Sequence, residues 1–162
     1  MVYDQRLLAA HAPATALGVG MHLTWMGVAR DMVASGHDHL QWVLDEGKAG
    51  ELFAFGVSER GNDRVLSDSL TEVRRTPDGY EFFGTKIFVS TSPAWTRMSV
   101  LGKMGEEIVH GFISRDQPGW SQTKDWDTLG MRATQSYTTE LDGVVVTPER
   151  VARVLPVGAN RD

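Results

Sequence analysis

The chain has 162 residues, a formal net charge of −5, 41% hydrophobic residues and 23% charged ones. That is the composition of a globular domain long enough to bury a core, and its 16 Lys and Arg are scattered along the chain, which argues against binding to a phosphate backbone. There is no Cys, so disulfides, thiolate catalysis and Cys-based metal sites are excluded.

The N-terminal MVYDQRLLAAH lacks the apolar core and cleavage site of a signal peptide. No apolar run approaches the roughly 20 residues that a spanning helix needs. The expectation is a cytoplasmic protein with no membrane partner. The first residues read like the middle of a helical region and the last, VLPVGANRD, like a linker, so both ends read as cut.

From Ala14 to Val33 the residues Leu17, Met21, Trp25, Val28 and Met32 recur at spacings of three and four, which predicts an amphipathic helix. Pro13 suits its first turn and Gly36 its C-terminal cap. Asp38 is a candidate N-cap for a second helix, which has a face of Leu40, Val43 and Leu44 and ends at Gly47. From Leu52 the pattern changes to short strand-like runs divided by turn signals: LFAFGV, LTEVRRT, GYEFFGTKIFVS, RMSVLGK, EIVHGFIS, a region around Trp120, and YTTELDGVVV. Asp78-Gly79 and Asp142-Gly143 are hairpin candidates, and Gly84 marks a bulge or sharp twist. The predicted fold is α+β, a short N-terminal helical segment followed by an antiparallel β-barrel or sandwich of about seven strands. The divisions fall at residues 1–49 for the helices, 50–156 for the β-domain and 157–162 for the linker.

Most candidate chemistry has a plain structural reading. His37 and His39 sit at i and i+2 and do not share a helix face, while His11, His22 and His110 stand alone, so no metal site is predicted. No G-x-S-x-G elbow and no G-x-G-x-x-G or phosphate loop occurs, and Gly18 to Gly20 is helical context. Glu106 and Glu107 fall in a hairpin turn and are solvated. Three segments resist the plain reading. FGVSERGND ends a strand on Ser58-Glu59 and turns at Gly61. KIFVSTS ends an apolar strand on Ser90, Thr91 and Ser92, which either cap a turn or line a pocket. WDTLGMRATQS sets bulky apolar residues around a glycine ahead of a hydroxyl cluster.

In this order and spacing, with VVVTPERV closing the series, the three segments resemble the acyl-CoA dehydrogenase family over nearly the whole chain. The resemblance implies the end of an N-terminal helical domain followed by a central β-domain that forms one wall of a flavin site. FAD is the implied cofactor. Phe55, Val57 and Ser58 match positions that contact the isoalloxazine ring, Phe88 matches a position usually held by Trp, and Ser90 matches a Thr near flavin N5. Gly61 and Asn62 match the loop along the acyl chain and pantetheine. Arg132, with Thr134 and Ser136, would lie near the CoA end. The implied substrate is an acyl-CoA, the reaction α,β-dehydrogenation, and the parent protein a homo-oligomer; the electron acceptor is not assigned.

Three departures qualify that expectation. The usual P-G-A-G-S-D reads RGND at Arg60 to Asp63, and the usual N-G is Thr91-Ser92. Phe88 in place of Trp also occurs in the flavin-dependent monooxygenases of the same superfamily, which keeps a monooxygenase as the alternative; a non-catalytic flavin- or partner-binding β-domain is a third. In the family the catalytic Glu comes from a C-terminal helical domain that these 162 residues do not include, so no catalytic residue is assigned.

Overall fold

The computed structural model describes residues 2–64 and 66–159. Three helices come first: α1 (Val2–His11), α2 (Pro13–Ala34) and, after a 3-10 turn at Asp38–Leu40, α3 (Gln41–Lys48). Eight strands follow: β1 (Phe53–Gly56), β2 (Glu72–Thr76), β3 (Gly79–Val89), β4 (Arg97–Met104), β5 (Glu107–Ser114), β6 (Trp120–Thr123), β7 (Tyr137–Val146) and β8 (Val151–Pro156). They form one sheet in the order β6-β7-β3-β2-β4-β5-β8, with β1 added beside β4. Among the described residues no helix is long and apolar enough to cross a membrane.

The α+β class holds, but the antiparallel barrel or sandwich of about seven strands does not. The sheet is open and mixed: β1 runs parallel to β4, and β2 meets β4 in parallel at Glu72 and Lys103. Alternation along a strand reports which face is buried but carries no information about the neighbour's direction. The eighth strand, β8, is not among the expected strand segments; it runs over Val151–Pro156 and pairs antiparallel with β5. Of the expected 157–162 linker, Val157 packs against Val57, Leu101 and Ile108, and residues 160–162 lie outside the described residues.

The helices also differ from expectation in detail. Pro13 and Gly36 do bracket α2, and Gly36 takes a left-handed φ of +84°. Its buried residues are Ala16, Gly18, Trp25 and Ala29, whereas Leu17 and Val28 are each 41% exposed. The spacing gave the period correctly but centred the buried face on the large residues. The close approach to the sheet is made by the small ones, with Trp25 the large anchor. Asp38 makes no side-chain cap, and α3 runs through Gly47 to Lys48.

The two expected hairpins part company. Thr76 pairs with Gly79, so the β2–β3 turn is Pro77-Asp78. Asp142-Gly143 is not a turn. The β3–β7 register skips Gly143 between Phe82 and Phe83, and Gly143, at φ +77°, is the extra residue of a bulge inside one long strand.

The sheet buries both faces. One carries Ala54, Val73, Phe82, Val89, Trp95, Met98 and their neighbours. The other lies under α2 and α3, around Phe112, whose ring sits 4.5 Å from Trp25, 5.1 Å from Trp42 and 5.7 Å from Phe53. Glu46 of α3 fastens the helices at the rim by bonding Arg97 at 2.6 Å and Arg150 at 2.8 Å.

Beyond β1 the chain is held by a buried ion pair. Glu59 and Lys86 meet at 2.6 Å with side chains 2% and 0% exposed. Lys86 also donates to Ser69 Oγ and to the Leu101 carbonyl, so all three of its protons have acceptors. Glu59 accepts further bonds from Asn62, Ser69, the Leu70 amide, and both the amide and hydroxyl of Thr71. Gly84 makes room for this, since a Cβ there would lie 2.6 Å from Thr71 Oγ1. Burial pushes the Glu59 carboxyl up, but Lys86 and the hydrogen bonds outweigh it and hold the pKa at about 2. Burial lowers the Lys86 ammonium to about 8 against the pull of Glu59, so both are ionised at neutral pH.

Removing one partner strands the other charge in the sheet. Lys86→Met is expected to cost about 3–5 kcal/mol in urea denaturation; a loss under 1 kcal/mol would show that the pair is dispensable. The low folded pKa of Glu59 also sets a pH response. Its stabilisation is complete above the unfolded value of 4.5 and is lost as pH falls toward about 2. Melting temperatures should therefore drop through that window, and Glu59→Gln, already destabilised at pH 7, should show a shallower acid slope.

Candidate functional site

The site forms where β3 ends. The ladder with β7 breaks after Lys86 and resumes only at Val89, because Phe88 adopts φ +59°, and Thr91 just beyond the strand adopts φ +62°. Such values strain a residue bearing a Cβ and persist only where surrounding bonds enforce them. Those bonds are present. The Ile87 amide donates to the Ser58 carbonyl at 2.9 Å, the Thr91 amide to Thr134 O at 2.8 Å, and the Ser92 amide to Gln135 O at 3.1 Å. From the helix side, Gly18 lets α2 press against this turn, since a Cβ there would lie 2.5 Å from Thr91 Cγ2.

The three hydroxyls of the turn have different uses. Ser92 Oγ donates to Val89 O at 2.7 Å and Thr91 Oγ1 to Ser90 O at 2.5 Å, so these two cap the turn. Ser90 does not. Its Oγ lies 2.9 Å from Ser136 Oγ, which lies 2.8 Å from Thr134 Oγ1, and Thr134 donates to the Met131 carbonyl at 2.8 Å. The last bond fixes the direction of the others. A carbonyl only accepts, so Thr134 has spent its proton there. Ser136 must then donate to Thr134, and Ser90 to Ser136. The hydroxyl protons are all committed, and the unused capacity of Ser90 and Ser136 is as acceptors.

The strained Phe88 backbone sends its ring outward. It is 57% exposed and meets Trp126 edge-on at 5.8 Å. Phe88, Trp126, Arg60, Ile87, Asp125 and Ser136 line much of an open cleft of about 230 Å3. Its far wall is the segment before β7. Asp125 accepts from the Thr138 amide at 2.9 Å and hydroxyl at 2.5 Å, which lowers its pKa, so it is a fixed anion and a weak base. Arg132 bonds Thr128 O at 2.6 Å and pairs with Asp127 at 2.9 Å, both within this segment.

The other residues singled out from sequence lie around this cleft or away from it. Ser58 is half-buried at the end of β1, joined to β3 through its carbonyl. Val57 is buried with Leu101 and Ile108. Phe55 stacks on Trp25 at 5.2 Å, under α2. Gly61 is exposed at φ +80°, and the Asn62 side chain bonds Glu59, Asp68 O and the Arg64 amide. The structure thus gathers Phe88, Ser90 and Ser136 at one edge, places Phe55 and Val57 in apolar clusters that Phe55 joins, and turns Asn62 inward. Sequence reasoning did not reach Trp126, Arg60 or Asp125 as lining residues, nor Lys86. The one available signal for Lys86 was a lone cation within the apolar strand KIFV.

A second feature adjoins this edge. A groove of about 490 Å3 runs between α1 and α2 to Met131, lined by Pro13, Ala16, Leu17, Gly20, Leu23 and others. Leu17, exposed in the wrong place for a core residue, is accounted for as part of its wall.

No protein-family model matches the chain. Individual proteins do. A putative acyl-CoA dehydrogenase of Bacillus subtilis, YdbM, is 27% identical over 98% of this chain and 43% of its own length. The dibenzothiophene monooxygenase of Mycolicibacterium goodii is 33% identical over 59% of this chain and 24% of its own. Among solved structures, TdsC of Paenibacillus sp. A11-2, crystallised with FMN and indole, superposes at a TM-score of 0.72, with 28% identity over 94% of this chain and 38% of that one. Butyryl-CoA dehydrogenase of Megasphaera elsdenii, at 19% identity and a TM-score of 0.75, shares the fold. The chain spans less than half the length of each of these relatives. Over nearly all of its residues the chain is thus similar in sequence and fold to a putative acyl-CoA dehydrogenase and to TdsC, and over 59% of them to a dibenzothiophene monooxygenase, which are relatives within the acyl-CoA dehydrogenase-like superfamily.

Proposed function

We propose that the edge at the end of β3 is one wall of a flavin site, and that the chain serves an oxidoreductase in which the bound flavin, FAD in the first reading, supplies the redox chemistry. The observation that carries this is the polarised hydroxyl chain opening on the Phe88 cleft. A flavin ring needs a flat apolar contact on its face and hydrogen-bond partners for its heteroatom edge, which includes N–H groups. The exposed Phe88 ring supports the first, and the acceptor lone pairs left on Ser90 and Ser136 support the second. Ser58, where β1 meets β3, extends the polar edge. Phe55 and Val57 support the wall from behind. The residues present therefore fit the group.

The favoured substrate is an acyl-CoA thioester, undergoing α,β-dehydrogenation. The groove between α1 and α2 supports this reading: it is largely apolar, has a volume of about 490 Å3, and reaches Met131, whose carbonyl ends the hydroxyl chain. Gly61, Asn62 and Arg132 belong to the substrate side of this proposal. Asn62 acts by shaping the loop through Glu59, and Arg132 by its exposed guanidinium. Asp125, held anionic, and Asp127, paired with Arg132, are not offered as bases, and the reaction's base is not assigned to this chain. The parent protein in this reading is a homo-oligomer.

The second reading is a flavin-dependent monooxygenase. Phe88 where the dehydrogenases usually carry Trp favours it, as does similarity to proteins whose names and bound ligands are of that kind.

Two measurements test these readings. Flavin fluorescence should be quenched on titration with the chain, and Phe88→Ala should weaken binding by about 1 kcal/mol, roughly fivefold. Ser136→Ala should weaken it by about 0.5–1.5 kcal/mol, with the melting temperature of the Phe88 variant unchanged. Flavin affinity indifferent to both would remove the proposed wall. For the substrate, a short-chain acyl-CoA should perturb the absorption bands of the bound flavin. Absence of that response, with oxygenated product formed from reduced flavin, oxygen and an aromatic thioether, would select the monooxygenase.

A further inference from the structure

A second cavity lies on the helical face of the sheet, away from the β3 edge. It has a volume of about 260 Å3 and sits between the second half of α2, the 3-10 turn and β8. Its walls are apolar: Val28, Met32, Leu40, Phe55, Leu66 and Ala152. Val28 and Leu66, 41% and 57% exposed, stand at its mouth. Thr24 and Arg153 also line it, as do two further polar side chains that are anomalous. His110 on β5 is 2% exposed and neither of its ring nitrogens has a hydrogen-bond partner among the described residues. Trp25 is 4% exposed, and its indole N–H is likewise unpartnered. The rings meet edge to face at 5.1 Å, which sets the two side chains next to each other in the cavity wall.

We propose that this cavity is a binding site for a small neutral molecule, largely apolar, carrying a single hydroxyl group that bonds to His110 and Trp25. A buried donor or acceptor left without a partner costs about 1–3 kcal/mol, and native interiors rarely leave several together. The side chains around these two offer no acceptor or donor, apart from Thr24 and Arg153 at the rim. Apolar walls with a few convergent polar groups are the usual build of a small-molecule site. Charge restricts the ligand. Burial, reinforced by the nearby cations Arg153 and Lys86, lowers the His110 pKa to about 3, so the imidazole is neutral at pH 7 and offers one donor and one acceptor. Trp25 adds one donor. A hydroxyl, which both gives and takes a proton, satisfies such a corner, whereas an ammonium or an aliphatic hydrocarbon does not. Size restricts it further: a cavity of about 150 Å3 is enough for benzene, so this one suits a one- or two-ring molecule. The inference does not rest on the flavin reading.

Phenol is the probe, with toluene as its counterpart lacking the hydroxyl, each titrated into the isotopically labelled 162-residue chain and followed by NMR. Phenol should cause saturable shifts at the His110 ring nitrogens and the Trp25 indole N–H, and should bind about fivefold or more tighter than toluene. Trp25→Phe should narrow that preference. Val28→Trp, a surface change at the mouth, should abolish binding of both while leaving the melting temperature in place. Equal affinity for phenol and toluene would overturn the proposal. So would saturable shifts confined to the α1–α2 groove, or His110 and Trp25 resonances that phenol leaves unmoved because bound water alone completes their hydrogen bonds.

Discussion

The buried Glu59–Lys86 pair is the constraint on which the candidate site rests. Glu59 lies three residues past Gly56, the last residue of β1, and Lys86 lies two residues before Phe88. Joining them at 2.6 Å fixes the end of β1 against the end of β3, and the Ile87–Ser58 backbone bond then follows from the register so imposed. The same carboxylate accepts the amides of Leu70 and Thr71, groups that no strand ladder satisfies. Two desolvated charges are an expensive way to hold a loop. They are tolerated because every proton of Lys86 and both oxygens of Glu59 are occupied, which is the condition under which a buried pair does not count against the fold.

With that end of the sheet fixed, the positive φ values at Phe88 and Thr91 become possible. The strain sits at the end of a strand whose position is already determined, at Phe88 within β3 and Thr91 just past it, and it is balanced by backbone bonds to Thr134 and Gln135. Its effect is to turn Phe88 out of the sheet and Ser90 in toward Ser136. A regular strand would have placed the aromatic ring and the hydroxyl on a shared face with the opposite exposure. The left-handed residues Met131 and Gln135 shape the facing segment in the same way, and the proton order along Thr134, Ser136 and Ser90 follows from a single carbonyl on that segment.

The fold by itself does not separate the two reactions found among its relatives. Butyryl-CoA dehydrogenase and TdsC superpose on this chain about equally well, at TM-scores of 0.75 and 0.72. A scaffold shared by both can fix where a planar ring lies, while the chemistry depends on side chains set around it. The side chains that bear on the reaction here are those of the Phe88 cleft and the apolar α1–α2 groove. The cavity at His110 adds a separate demand, since its orphaned nitrogens belong to neither.

Much of this protein was legible in its sequence. The helix from Pro13, its stop at Gly36, and seven strand segments followed from periodicity and turn chemistry, all of which are local. The hydroxyls ending β3 were visible as an oddity, and the spacing of three motifs carried the family. Other features could not be read that way. Asp142-Gly143 has the composition of a hairpin turn, and only pairing with β3 makes it a bulge. Val28 and Leu17 have the period of a core face but line cavities, because small residues of α2 make the approach to the sheet. The partner of Glu59, the parallel course of β1, and the corner where His110 meets Trp25 all join residues far apart in the chain. Sequence determines what each segment can do alone; which segments become neighbours is decided by packing, and hydrogen-bond partners, pKa values and cavities are properties of neighbours.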